Sequence, residues 1–115
     1  MKIIKEEQKE WKHREGYSKK ILFSTKDLPE NTQLQRMQIQ KGNKVANHYH
    51  RTTSELFYCI KGKALFSISG KDFEFTSGDT VLCEAGEHHS VKEVTEDLHF
   101  LTFKINQKEN DTVWL

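Results

Sequence analysis

Beyond its first twenty residues the chain shows no apolar pattern at helical spacing; what recurs is alternation with a period of two. In residues 17–24, Tyr17, Ile21 and Phe23 share one parity, and in 34–40 Met37 and Ile39 share another. The run "ELFYCI", starting at Glu55, is dense in aromatic and branched side chains. "KALFSIS" sets Ala64, Phe66 and Ile68 against Leu65, Ser67 and Ser69. Gly70-Lys71 reads as a two-residue hairpin turn with glycine first, returning through "DFEF" with Phe73 and Phe75 on one face. A second turn, "TSGD" at 76–79, leads into "TVLC", and "HHSVKEV" and "LHFLTFKI" supply two further strands. Short strands at regular spacing, broken by glycine-containing turns, predict an all-β fold, a small antiparallel β-barrel or jelly-roll sandwich.

A length of 115 residues fits one domain. Residues 17–115 are read as that domain and 1–16 as a charged N-terminal arm, with Ile3, Ile4 and Trp11 as its large apolar anchors. Lysine and glutamate interleave to a net charge of only +1, so the chain lacks the single-sign patch that nucleic acid requires. The arm has no apolar core of a signal peptide, and nowhere do apolar residues run long enough to span a bilayer. The expectation is a cytoplasmic protein with neither a nucleic-acid nor a membrane partner. Cys59 and Cys83 are too few for a disulfide framework and read as reduced core thiols. Trp114, costly to leave exposed near the chain end, and the edges of a small sheet lead to the expectation of a homodimer, with the arm or the C-terminal "DTVWL" packed across the partner.

The chemistry concentrates in two stretches. His48 and His50 are two apart, so in an extended segment both side chains reach the same space. Glu55 opens the next strand, and the face it occupies continues through Phe57 and Cys59, a polar group above an apolar floor. Two imidazoles and a carboxylate suit a divalent transition metal: Fe, Mn, Co, Ni, Cu or Zn. A further imidazole is available from "GDTVLCEAGEHHS", where His88 and His89 are adjacent.

In full, the first stretch reads Gly42, five residues, His48-Tyr49-His50, four residues, Glu55, six residues, Gly62. The second reads Gly78, five residues, Glu84-Ala85-Gly86, two residues, His89. Together they resemble the two motifs of the cupin family, over about residues 34–103. Two positions depart from that pattern: Glu84 stands where the second motif has proline, and Glu93 where it ends in asparagine.

The resemblance implies a small barrel holding a six-coordinate metal through His48, His50, Glu55 and His89, with about two positions open. His89 rather than His88 follows from the spacing after Gly86 and from parity on the strand. Such a centre prefers a small anionic or oxygen-rich metabolite, and similar proteins include dioxygenases, isomerases, decarboxylases and non-catalytic sensors. The functional expectation is therefore dioxygenase-like or isomerase/lyase chemistry on a small-molecule substrate. The alternative is metal-dependent binding or sensing of a sugar or carboxylate without turnover. No general acid or base is assigned; Glu84 and His88 lie near His89 in the chain, and Gln38 is a possible pocket-lining amide.

Overall fold

The structure, a computed structural model, describes residues 1–115. The elements are β1 (Lys12–Arg14), β2 (Tyr17–Phe23), β3 (Gln33–Ile39), β4 (Val45–His50), β5 (Ser54–Ile68), β6 (Lys71–Thr76), β7 (Thr80–Cys83), β8 (His89–Ile105) and β9 (Thr112–Trp114), after one 3-10 turn at Glu6–Gln8. All pairings are antiparallel. One curled sheet runs β1-β2-β3-β8-β4-β9, with β5 joined to β6, β7 and β8. The all-β expectation holds.

Two features differ from the sequence reading. "ELFYCI" and "KALFSIS" fuse into β5, and "HHSVKEV" and "LHFLTFKI" fuse into β8. These two strands pair from Ser54 opposite Ile105 to Ile68 opposite His89, with register shifts around residues 59–64. Gly62 lies at that irregularity with φ +100°, and a Cβ there would sit 2.1 Å from the Asp97 carbonyl oxygen. A glycine in the middle of a strand usually breaks the pattern; here it lets the strand kink without ending. The first half of β5 then pairs with β7 and the second with β6.

The hairpin after β5 is also shifted by one residue. Ile68 pairs with Lys71, so the turn is Ser69-Gly70 rather than Gly70-Lys71. Both turn residues have positive φ, 50° and 78°, the arrangement whose twist matches that of the flanking strands.

Inward-facing residues of β3, β5, β6 and β8, among them Ile39, Phe57, Phe66, Phe75, Leu98 and Phe100, form one continuous core. Phe66 contacts Phe57, Phe73, Phe75 and Phe100, with ring centroids 4.6–6.1 Å apart. On the outer face, Leu34, Phe103, Leu56 and Leu82 stand in register across β3, β8, β5 and β7.

The arm is held against β2 and β3. Glu6 bridges the Lys20 ammonium at 3.6 Å and the Arg36 guanidinium at 3.2 Å, and Lys20 lies over the Trp11 ring at 4.7 Å. Ile4 and Trp11 are half-buried as expected, but Ile3 is 71% exposed and anchors nothing. No helix is long and apolar enough to cross a membrane.

Candidate metal centre

β4 presents His48 and His50 to the interior, Glu55, the second residue of β5, is directed inward, and β8 begins with His89. The register explains the meeting: His48 pairs with His89 across β4 and β8. All four side chains are buried, none more than 9% exposed. The three histidines offer ligand nitrogens within 4.8 Å of one another. Glu55 Oε1 lies 2.6 Å from His50 Nε2 and 3.2 Å from His89 Nε2.

The orientation of each ring is set from behind. His48 Nδ1 meets the Ala46 carbonyl at 2.8 Å, and His89 Nδ1 meets the Glu87 carbonyl at 3.0 Å. A carbonyl only accepts, so in both rings Nδ1 carries the proton and Nε2 is the group turned inward. His50 Nδ1 contacts the Thr112 hydroxyl at 2.9 Å. Although His50 Nε2 and Glu55 Oε1 are close, their contact misses the directions of a hydrogen bond, and both atoms are buried without a hydrogen-bond partner. Two buried polar atoms that approach this closely without a well-directed hydrogen bond are arranged as ligands around a cation are. Three imidazole nitrogens and a carboxylate oxygen are a donor set suited to divalent first-row metals.

The charges agree. Burial favours the neutral form of Glu55, but the imidazoles of His50 and His89 outweigh it and hold the carboxyl well below its usual range. His48 is driven down to about 4, first by burial and then by repulsion from His89. Burial also opposes a charged His89, yet Cys83 and Glu55 beside it carry its pKa up to about 10. His89 and Glu55 therefore face each other as an ion pair in the metal-free protein.

The four residues bound a cavity of about 90 Å³. Its walls include Met37, Ile39, Phe57, Phe66 and Phe100, and its polar positions include Tyr17, Lys19, Gln35 and Lys104. Glu84 and His88 are exposed and line no part of it; His88 stacks on Tyr49 outside the barrel, with ring centroids 4.9 Å apart. Gln38 faces away as well, and the amide in the wall is Gln35, which shares parity with Met37 and Ile39. Cys59 is fully buried but does not line the cavity, whereas Cys83 lies 3.4 Å from His89 Nδ1.

The C-terminal strand had no place in the sequence reading of the site. β9 pairs with β4 residue for residue, His48 opposite Trp114 and His50 opposite Thr112. The Trp114 ring packs on His48 at 4.4 Å between centroids and remains 52% exposed. Asp111 fastens this strand: its carboxylate accepts bonds from the Thr52 and Thr53 backbone N–H groups and, at 2.6 Å, from the Thr53 hydroxyl. Burial pushes the Asp111 pKa up, but those donors outweigh it and bring it to about 2.

Its contribution to stability is therefore complete above the ordinary aspartate value of about 4 and is lost as pH falls toward 2. Asp111→Asn is expected to cost about 2 kcal/mol at pH 7, because it loses charge-assisted bonds and leaves buried donors poorly matched. Urea unfolding at pH 7 and pH 3 checks this: the gap between wild type and variant narrows at the lower pH.

Comparison with known proteins places the chain. The family description of the cupin domain (Cupin_2) matches residues 35–104. The oxalate-binding protein of Thermotoga maritima is 34% identical over 67 residues, which cover 57% of this chain and 55% of that protein. The quercetin 2,3-dioxygenase of Bacillus subtilis is 31% identical over 52 residues, 45% of this chain and 15% of that one. The chain thus matches about half the length, or less, of these curated relatives. Among solved structures, a predicted oxalate decarboxylase from Thermotoga maritima superposes with a TM-score of 0.82 at 23% identity, covering 90% of this chain and 98% of that one. KdgF from a Halomonas species gives 0.82 at 14% identity, covering 96% and 97%. These two structural likenesses concern the fold. With the family match spanning most of the β-sheet, including both site-bearing stretches, the chain belongs to the cupin family.

Proposed function

We propose that this protein holds a divalent transition metal through His48, His50, Glu55 and His89 and uses it to bind and transform a small oxygen-rich anion. The observation that carries this reading is the inward convergence of buried, unpartnered His50 Nε2 and Glu55 Oε1, with the Nδ1 atoms of all three histidines engaged from behind. When bound, the metal supplies a Lewis-acidic centre that polarises a chelated carbonyl or carboxylate and supports dioxygenase-like or lyase chemistry. Apolar walls flank it, while Thr112 and the Ala46 and Glu87 carbonyls keep the imidazoles aimed. The names of the relatives, an oxalate-binding protein and a dioxygenase, support a small carboxylate or enolate as ligand.

The test loads the protein with Fe(II) or Mn(II) under anaerobic conditions, then adds dicarboxylates and enolates and follows oxygen uptake and carbon dioxide release. Turnover that requires His50 supports the reading. Failure to take up one metal per chain overturns it.

A second reading, binding without turnover, is favoured by one observation: Glu55 is the only carboxylate lining the cavity, so no free carboxyl stands ready as an acid or base. Tight calorimetric binding of a ligand to the metal-loaded protein, with no product, would select it.

For assembly we propose a homodimer. The support is the outer apolar row of Leu34, Phe103, Leu56 and Leu82, flanked by exposed Tyr58 and Ile60. Trp114, the residue that suggests a dimer from sequence, packs on His48 of its own chain and stays 52% exposed. Sedimentation is expected to give a dimer at micromolar concentration and a monomer for Leu82→Glu combined with Phe103→Glu.

A further inference from the structure

The cavity carries a second set of charged groups besides the metal ligands. Lys19 on β2 and Lys104 on β8 both line it, each half-buried. Lys104 is the register partner of Glu55 across β5 and β8, the position where a cross-strand ion pair would be expected to form. It does not form: neither lysine is paired with any carboxylate. Beside them Gln35 is fully buried in the cavity wall, and its Oε1 has no partner. Two unpaired ammonium groups and an unsatisfied amide oxygen on the inner face of a sheet contradict the alternation that otherwise puts apolar residues there. Breaches of this kind concentrate where a ligand completes the pattern.

We propose that Lys19 and Lys104 form the second pole of a two-pole site, which selects small dianions, namely dicarboxylates of two to four carbons, over monocarboxylates. One carboxylate takes the metal end and the other the lysine end. The inference rests on the metal reading above for its first pole only. Charge argues for two carboxylates rather than one. With a divalent ion in place and His89 neutral as its ligand, two lysines, Glu55 and the ion sum to +3. A monoanion at the metal leaves the lysines uncompensated in a half-enclosed space, where like charges repel most strongly. Size agrees: the cavity is small, about 90 Å³, and suits a short dicarboxylate.

The experiment compares malonate with acetate by calorimetry and NMR titration, on wild type, Lys19→Met and Lys104→Met, each both Mn(II)-loaded and chelator-treated. Wild type is expected to bind malonate about tenfold or more tightly than acetate, and each methionine variant to lose most of that preference. Mn(II) affinity is not weakened in either variant, since removing a neighbouring positive charge does not repel a cation. Circular dichroism confirms folding, and Lys104→Arg, which keeps the charge, retains the preference. A malonate preference that survives both methionine substitutions, or is absent from wild type, overturns the proposal. If Mn(II) does not bind at all while metal-free wild type still prefers malonate through the lysines, the metal reading fails and the lysine pole stands. If Mn(II) binds without any dianion preference, the lysine pole fails alone.

Discussion

Glu55→Ala is expected to weaken Mn(II) binding by at least about 100-fold, beyond what removing an outer-shell group does. Glu55 is the only anionic member of the donor set and touches two of its three imidazoles, at 2.6 and 3.2 Å. Without it, three neutral rings must bind a dication inside an apolar enclosure, and nothing offsets the cost of moving that charge out of water. Glu55→Gln separates charge from shape: it keeps the side chain's length and packing but offers only a neutral carbonyl oxygen. Its affinity should fall between wild type and Glu55→Ala. Isothermal calorimetry with Mn(II) reads both, and the metal-induced rise in melting temperature shrinks in the same order. An alanine variant that binds Mn(II) within threefold of wild type would show that the carboxylate is not a ligand.

Gly62→Ala should be among the most damaging single methyl groups that can be added to this fold, as only Gly16 meets backbone as closely. The position has φ +100°, where an L residue is strained, and the new Cβ would sit 2.1 Å from the Asp97 carbonyl oxygen and 2.7 Å from the Leu98 Cα. Both obstacles are backbone of the paired long strand, so no side chain can swing aside. Separating β5 from β8 at this point would pull apart the two strands that carry Glu55 and His89. A loss of about 4 kcal/mol is expected, in the range kept for backbone conflicts and core disruption. Gly42, Gly78 and Gly86 also have positive φ, between 86° and 89°, but a Cβ at any of them meets nothing within 4 Å. Alanine there costs only the backbone strain, about 1 kcal/mol. Urea midpoints for the four variants test the ranking. If Gly62→Ala is no worse than Gly78→Ala, the strands are not locked at that crossing.

The all-β architecture was legible because alternation and turn residues act locally. The pairing of the fused strands was not, because Gly62 is both a breaker in sequence and a bend in space, and only the approach of Asp97 tells the two apart. The four inward side chains followed from parity and glycine spacing. The groups that aim them were harder to find: Thr112 and Trp114 lie more than sixty residues from the histidines they contact, and short terminal strands carry too little pattern to reveal a partner. Both cysteines are buried in the core, but Cys83 reaches His89 across the turn between β7 and β8, while Cys59, closer in pattern to Glu55, does not line the cavity. Lys19, Gln35 and Lys104 were open to discovery, since each shares parity with core residues of its own or a neighbouring strand. The signal was a polar side chain on an apolar face, and the sequence reading looked to Gln38, on the other face, instead.

One ion is expected at the meeting point of β4, β5 and β8, and anomalous diffraction from crystals grown with Mn(II) tests this directly. The expected result is a single strong peak in the barrel, about 2.0–2.3 Å from one nitrogen each of His48, His50 and His89 and from the Glu55 carboxylate. An empty barrel at saturating Mn(II), with the His89–Glu55 ion pair intact and any peaks confined to surface carboxylates, would contradict it.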